Sequence, residues 1–551
     1  LAANLTGKPD SAKITGIMAL EDFTQPGPWP GRLFYEVHGK GDDCLIKYLK
    51  RLVAAGLSCL CLLTVLPVSA AAAPRFSDVP KTHWAAESIA RAAEKGLLNG
   101  RSDGTFGMGK SMTRAAFAAV LCRLFEWEKV SPATGSFTDN RDTAKWYYGA
   151  VETVFVRGAV TQQEEKFRPG DAITRAEMAV MLVRSLGYGT LAGLAGERKS
   201  SFTDVTFSLG YLLLASDLGI MTGNTRGEFQ PDKPVTREQA AAVLMRVYDK
   251  LHAPAPELIG IARSAEKLSL TGVGTVAVPA LKLVYNGSLQ LVPDVGEETV
   301  AAIQSAAGDR RMLLQVSGSG PVFAEVNPAA LAKDLAAAAA DGGWDGVLLD
   351  ISKLTGTDRA ALTTLAAALR TALGKDKLFF VMAEAPVQPG STAYNGYDFA
   401  GLAAVADKII LRIAPYYQVI SGLPTTPKEP LEEVYYAMEA VASAIPAEKI
   451  MLLLTVSGSK WRGERAEGDV SAAELSVLRS TSGVTGYWSG RYAAPYLSYT
   501  NSGQRVVVWY NDARSAQARR QLSSFFGGGG LCLNQLTGPL DGEDGILSGL
   551  Q

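Results

Sequence analysis

Apolar residues follow two different rhythms along this chain. Between residues 76 and 250 they recur with a helical period, interrupted by glycines and short polar turns. Trp84, Ile89 and the Ala92/Ala93 pair share one helix face, and Gly96 supplies a left-handed C-cap. Ser102-Asp103-Gly104-Thr105 reads as a turn. Thr113 is placed as the N-cap of a second helix carrying Phe117, Val120, Leu121 and Leu124. The same order then returns twice. Phe76-Ser77-Asp78-Val79, Phe137-Thr138-Asp139 and Phe202-Thr203-Asp204-Val205 lie 61 and 65 residues apart. Gly96, Gly158 and Gly219 recur at 62 and 61, and Thr113-Arg114, Thr174-Arg175 and Thr236-Arg237 at 61 and 62. Phe106, Phe167 and Phe229 each stand seven residues before the Thr. This is an internal repeat in three copies, over 74–133, 134–198 and 199–251. A two-helix unit cannot bury its apolar faces alone, so the copies are expected to pack on one another.

After the break Ala253-Pro254-Ala255-Pro256 the rhythm changes to short apolar runs alternating with helical stretches. Candidate strands are Met312–Val316, Gly346–Ile351, Leu378–Met382, Lys408–Ile413, Ile450–Val456 and Leu531–Leu536. Helical patterns at 328–340, 357–373, 430–444 and 513–525 lie between them. Runs near 281–285 and 288–292 bring the strands to eight. Such alternation predicts an α/β domain, a (β/α)8 TIM barrel over 275–551, behind a linker at 252–274. Arg505–Tyr510 would be a strand inserted before the last helix.

Composition narrows the function. A chain of 551 residues predicts two to four domains, and 47% hydrophobic with 20% charged residues is enough to build real cores. Lys+Arg 54 against Asp+Glu 55 leaves a net charge of −1, which argues against a nucleic-acid or anionic-membrane binder. Three His and five Cys offer little for a metal centre, so no metal and no cofactor are expected. Residues 45–73 have the build of a secretory signal peptide: Lys47, Lys50 and Arg51, then an apolar run Leu52–Leu66, then small residues from Ser69 to Ala73. The run falls short of the roughly 20 residues that span a bilayer, so no stable membrane span is expected after cleavage. Residues 1–44 open with Leu, carry no periodicity, and are read as lying outside the native mature sequence. Cys122 and Cys532 then remain in different segments, which predicts a chain without disulfides.

The repeats resemble the S-layer homology domain. The first shows Phe76-Ser77-Asp78-Val79, His83-Trp84-Ala85, Gly96 with Gly100, Asp103-Gly104-Thr105-Phe106 and Thr113-Arg114. The resemblance implies an all-α, pseudo-threefold bundle whose inter-repeat grooves bind a pyruvylated secondary cell-wall polysaccharide on a Gram-positive-type wall. Matched to that role are Asp78, Trp84, Arg114, Asp139, Trp146, Arg175, Asp204 and Arg237. An Arg one residue into a helix is expected beside free backbone N–H groups and the positive end of the helix dipole, where an anion is held. Trp84 and Trp146 offer either a stacking face for sugar or a core side chain. The copies differ: repeat one has Ala116 where repeat two has Glu177, repeat two has Thr161 for the second turn Gly, and repeat three puts Phe207 in the Trp place.

The second half resembles family-18 glycoside hydrolases, the chitinases and spore-cortex N-acetylglucosaminidases. Trp344-Asp345-Gly346-Val347-Leu348-Leu349-Asp350-Ile351-Ser352 looks like their signature strand, Asp-Gly-x-Asp-x-Asp-x-Glu. Leu314–Gly318 and Val508–Ser515 are similar to two further segments of that family. The resemblance implies substrate-assisted hydrolysis, with the last Glu as acid. Here Ser352 holds the acid's place, Leu348 replaces the middle Asp, and Asn534 stands for the floor Trp. Only Asp345 and Asp350 remain of the carboxylates. Glu384, ending the next strand, is an alternative acid opposite Asp350. Arg412 offers instead a structural ion pair for Asp350. Tyr416, Tyr417, Trp461 and Trp488 are candidates for lining a sugar cleft.

Two readings stay open, beside a third in which the barrel is a scaffold that binds another protein. In the first, an exported protein anchored on the cell surface displays a non-catalytic barrel that binds an N-acetylglucosamine-containing glycan. In the second, the barrel is a wall-associated hydrolase with displaced carboxylates.

Overall fold

The computed structural model describes residues 76–550, except 163–164, 287, 321–326, 387–394, 414–424, 539 and 542–544. The signal-like segment and residues 1–44 therefore lie outside the described residues.

Each repeat contributes two helices. They are α1 (Ala86–Glu94) with α2 (Arg114–Leu124), α3 (Tyr148–Val156) with α4 (Arg175–Ser185), and α6 (Leu209–Asp217) with α7 (Arg237–Leu251). A short extra helix, α5 (Gly189–Ala195), stands between repeats two and three. Thr113 caps α2 through its Oγ1, and Thr174 forms a capping box with Glu177 on α4. Gly96, Gly158 and Gly219 end the first helices with φ of +67°, +73° and +65°. Just ahead of the second helices the three copies meet in a closed ring. Ile173 N–H donates to Met112 O, Val235 N–H to Ile173 O, and Met112 N–H to Val235 O, each at 2.9 Å.

The second half opens with β1 (Glu257–Ile261), β2 (Thr275–Tyr285) and β3 (Leu289–Pro293), then α8 (Glu297–Ala307) and β4 (Arg311–Ser319). It continues as α9 (Pro328–Asp341), β5 (Gly346–Ser352), α10 (Arg359–Leu373), β6 (Leu378–Ala385), α11 (Phe399–Val405), β7 (Lys408–Ile413), α12 (Leu431–Val441) and β8 (Ile450–Leu454). An insertion of β9 (Gly458–Arg462), β10 (Arg465–Val470), α13 (Ala472–Arg479), β11 (Thr485–Ser489), β12 (Ala494–Asn501) and β13 (Gln504–Trp509) follows. The chain closes with α14 (Ala513–Phe525) and β14 (Gly530–Leu533). Strands β1, β2, β4, β5, β6, β7, β8 and β14 pair in parallel in that order, and β14 returns to β1. This is a closed eight-stranded parallel barrel. Alternate residues fill its interior, among them Ile259, Leu313, Leu348, Phe380, Ile410, Met451 and Cys532.

Three expectations need correction. The stretch 252–274, read as a linker, contains β1, the first barrel strand. Its sequence hid it: only five residues long, it follows a proline-rich break and carries Gly260, where a Cβ would sit 2.2 Å from Leu536 Cδ2. Residues 288–292, counted among the eight, belong to β3, which is antiparallel to β2 and lies outside the barrel. The insertion is also larger than one strand, a five-stranded antiparallel sheet in the order β10-β9-β13-β12-β11. Strand β10 is charged and largely exposed, so it lacks the apolar alternation that would have revealed it.

Where the insertion joins the barrel the interior is polar. Arg519 is wholly buried, donating to the carbonyls of Glu429, Ala493, Ser515 and Tyr492. Glu429 accepts from Thr455 N–H at 3.1 Å and Asn511 Nδ2 at 3.0 Å. Nearby Glu433 is buried with its Oε2 unpartnered. The repeats contact the barrel through charged groups too. Arg198 bridges Asp217 at 2.5 Å and Glu439 at 2.7 Å, and Tyr435 Oη donates to Asp217 at 2.6 Å. Lys250 Nζ donates to the Phe525 carbonyl, and Ser524 Oγ donates to the Lys250 carbonyl at 3.2 Å. Cys122 and Cys532 are both buried and unbridged.

Burial, and then the neighbours Glu432 and Glu429, push the Glu433 carboxyl up to about 9. It stays protonated in the fold, whereas the unfolded chain loses that proton above about 4.3. Stability is therefore unaffected below that pH and falls as pH climbs toward about 9. Glu433→Gln, neutral throughout, is expected to melt higher than the parent chain by a margin that widens from pH 5 to pH 9. Melting curves that stay parallel across that range would contradict this.

Candidate functional site

The residues singled out in the repeats converge on one phenylalanine per copy. Phe106, Phe167 and Phe229 are fully buried. Each backbone N–H is held by the Asp of its own repeat. Asp78 accepts from Phe106, Gly107 and Met108 at 2.6, 2.7 and 2.8 Å. Asp139 accepts from Phe167 and Arg168, both at 2.8 Å, and Asp204 from Phe229 and Gln230 at 2.8 and 2.7 Å. Burial works against the charge of Asp78, but these N–H groups outweigh it and hold the carboxyl below its ordinary value; Asp204 is lowered in the same way.

Each phenylalanine carbonyl is held by the Arg of a neighbouring repeat. Arg114 Nε donates to Phe167 O, Arg175 Nε to Phe229 O, and Arg237 Nε to Phe106 O, each at 2.8 Å. The same guanidinium lies over the ring it serves, at 5.0, 4.9 and 4.9 Å from the centroid. Arg175 and Arg237 also donate through Nη2 to the carbonyls of Thr222 and Asn99, at 2.9 and 2.7 Å. Arg114 Nη1 pairs with Glu177 at 2.8 Å. The six predicted Asp and Arg residues are thus brought together in three equivalent junctions.

One expectation about these helix starts is overturned. Their backbone N–H groups are not free for an anion. Arg114 and Ala115 donate to Asp171 O and Pro169 O, Arg175 and Ala176 to Lys233 O and Pro231 O, and Arg237 to Lys110 O. The adjoining repeat satisfies what a ligand would otherwise find. A second arginine set escaped the motif reading. Arg123, Arg184 and Arg246 stand nine residues after Arg114, Arg175 and Arg237, and the repeat register alone would have found them. Trp84 and Trp146 take no part in these bonds. They are 63% and 66% exposed, and Phe207, in the equivalent place, is 45% exposed.

At the barrel, parallel strands bring Gln315, Asp350, Ser352, Glu384 and Arg412 to the C-terminal ends of β4 to β7. Asp350 accepts from Arg412 Nη2 on both oxygens, at 2.7 and 2.8 Å, and from Gln315 Nε2 at 2.9 Å. Burial disfavours the Arg412 charge, but Asp350 and then Glu384 outweigh that cost and raise its pKa. Ser352 Oγ donates to the Gly318 carbonyl at 3.3 Å, and Glu384 accepts from Lys353 N–H at 3.1 Å. Asp345 does not join them. It precedes β5, seven residues from Ser352 at about 3.3 Å per residue, and its Oδ2 accepts from Met312 N–H at 2.7 Å. Position in the motif suggested a site residue, whereas strand direction puts it at the opposite end. Asn534 Oδ1 accepts from Val456 N–H at 2.8 Å. Trp461 is buried with Nε1 on the Thr426 carbonyl, and Trp488 lies under Arg514 at 3.7 Å, so both are packed. Tyr416 and Tyr417 lie outside the described residues.

The S-layer homology domain matches residues 75–118, 136–179 and 201–241. S-layer protein EA1 of Bacillus anthracis is 29% identical over 267 residues, 47% of this chain and 30% of that protein. A cellulosome-anchoring protein of Acetivibrio thermocellus is 38% identical over 133 residues, 24% of this chain and 29% of that one. The chain spans less than a third of the length of either relative. Among solved structures, the spore cortex-lytic enzyme SleL of Bacillus cereus is similar at a TM-score of 0.45 and 17% identity, covering 54% of this chain and 72% of that one. The three copies of the repeat, each with its Asp, Phe and Arg in register, are therefore S-layer homology domains, at residues 75–118, 136–179 and 201–241.

Proposed function

We propose that the three repeats form an all-α anchor that holds the exported chain non-covalently on the secondary polysaccharide of a Gram-positive-type cell wall. The observation that carries this reading is the exposure of Trp84, Trp146 and Phe207 at one equivalent place in every repeat. A large aromatic ring kept in solvent three times has no core to serve, and its flat face suits the C–H face of a sugar. The junctions between repeats carry the cationic groups that an acidic sugar such as a pyruvate ketal needs. S-layer protein EA1 and the cellulosome-anchoring protein carry surface-related names, which supports the same location.

The barrel is read as a displayed module without hydrolase chemistry, whose ligand class is an N-acetylglucosamine-containing glycan. What supports this is the use already made of its polar groups. General acid catalysis needs a carboxyl with a proton to give. Both oxygens of Asp350 are instead taken by Arg412, and a serine hydroxyl stands in the acid's place.

Two outcomes follow. Purified chain is expected to co-sediment with isolated cell walls, and a Trp84→Ala, Trp146→Ala, Phe207→Ala variant to bind at least about tenfold more weakly with its helical content intact. Equal sedimentation of both would remove the aromatic argument. Incubated with peptidoglycan or N-acetylglucosamine oligomers, the chain is expected to release no reducing ends. Asp350→Ala is expected to lower stability by about 1.5–3 kcal/mol in denaturant titrations, because half-buried Arg412 loses the carboxylate that holds it on both oxygens. Turnover abolished by Glu384→Gln would establish a hydrolase instead.

A further inference from the structure

The inserted sheet has two edges, and they are built in opposite ways. At one edge, β10 carries Arg465, Glu467 and Asp469 on a largely exposed strand, and its pairing with β9 slips between Ala466 and Gly468. Gly468 takes φ +119° there. Charge and a bulge are two devices that stop an edge strand from pairing with another chain. At the other edge, β11 has neither. From Ser480 to Gly490 the chain has no charged residue and no proline, and β11 pairs with β12 without a break. Thr485, Gly486 and Tyr487 are exposed. Among the described residues no strand pairs with the outer side of β11.

The register fixes which groups that edge offers. Pro495 of β12 accepts from Tyr510 N–H at 3.2 Å, so its carbonyl turns toward β13. Alternation then turns the peptide groups of Tyr496 toward β11, onto those of its register partner Tyr487. Gly486 and Trp488, one step to either side, turn theirs outward. Side chains mark the same edge. Trp509, Tyr496 and Tyr487 stand in one row across β13, β12 and β11, with successive ring centroids 4.6 and 5.2 Å apart. The row runs from buried Trp509 to Tyr487, which is 43% exposed and ends the row at the open edge.

This pattern is self-complementary. Lay two β11 strands antiparallel about a two-fold axis, with Tyr487 against Tyr487. The outward N–H and C=O of Gly486 in each copy then meet those of Trp488 in the other. The tyrosines form the close, non-hydrogen-bonded kind of pair, and the aromatic row continues into the second copy. Gly486, where a Cβ would meet only Leu497 Cδ2 at 3.8 Å, leaves room for the indole set opposite it. We propose that β11 is an association surface for a second copy of this chain, paired strand to strand in that register. A five-residue strand buries far less than the roughly 1,200 Å² of a stable interface, so the pairing is weak and concentration-dependent.

Sedimentation equilibrium of the chain from Ala73 on, one compact unit, tests this. At concentrations up to about 0.5 mM the parent is expected to form dimers. Tyr487→Lys and Tyr487→Glu, each alone, set like charges face to face and are expected to weaken dimerisation at least about fivefold. Both are expected to melt close to the parent, because the ring they replace is half in solvent. An equal mixture of the two sets opposite charges across the axis and is expected to associate at least about fivefold more tightly than either variant alone. A merely structural tyrosine gives no such recovery. A parent that stays monomeric, variants that dimerise like the parent, or a mixture no tighter than its components overturns the proposal.

Discussion

In every repeat the peptide groups of one phenylalanine are gripped from two sides. Its N–H goes to an aspartate of the same copy, and its carbonyl to an arginine of another. Both bonds are charge-assisted, a class worth about 1.5–3 kcal/mol when buried. The arginine then covers the ring, so the grip includes the side chain. Because the arginine always comes from a neighbour, no copy completes its own set, and the third closes back on the first. Loss of one copy would leave an arginine without its carbonyl and a phenylalanine without its arginine. The ring of backbone bonds through Met112, Ile173 and Val235 follows the same cyclic order.

That grip decides what is left over for binding. The arginines spend Nε on the fold, and the helix starts give their N–H groups to carbonyls of the adjoining copy, so the usual anion pocket of a helix N-terminus is filled by protein. The groups the grip does not consume are the exposed rings of Trp84, Trp146 and Phe207 and the arginines outside it. The Asp, Phe and Thr-Arg registers were plain in the sequence, since spacing repeats are local. Which carbonyl each arginine meets was not, because spacing within a copy says nothing about what an adjacent copy sets opposite it.

The barrel was legible to a similar depth. Six of its strands stand out as apolar runs, because parallel strands buried on both faces carry no polar alternation. The β1 strand was lost to its glycine and its prolines, and the inserted sheet to its charged edge. Within the site, Asp350 and Arg412 could be paired on paper because both end barrel strands. Asp345 could not be separated from them on paper, since a motif gives order along the strand and only the fold gives which end faces the mouth. Gln315 lay in a segment read only as similar to a strand of that family, with no role attached, yet it completes the hold on Asp350.

The contact between the two halves has its own trace in the sequence. Phe137 to Phe202 spans 65 residues against 61 for Phe76 to Phe137, and the longer interval contains α5. Around that added helix stand Tyr188, edge-on to Phe525 at 6.2 Å, and Arg198, bridging Asp217 and Glu439. Repeat one has no counterpart to this helix, so the departure from threefold regularity coincides with the place where the repeats meet the barrel. Internal symmetry serves the closure of the ring. Docking a different fold onto one side of it requires a residue set that the other copies lack, and the extra residues between repeats two and three supply it.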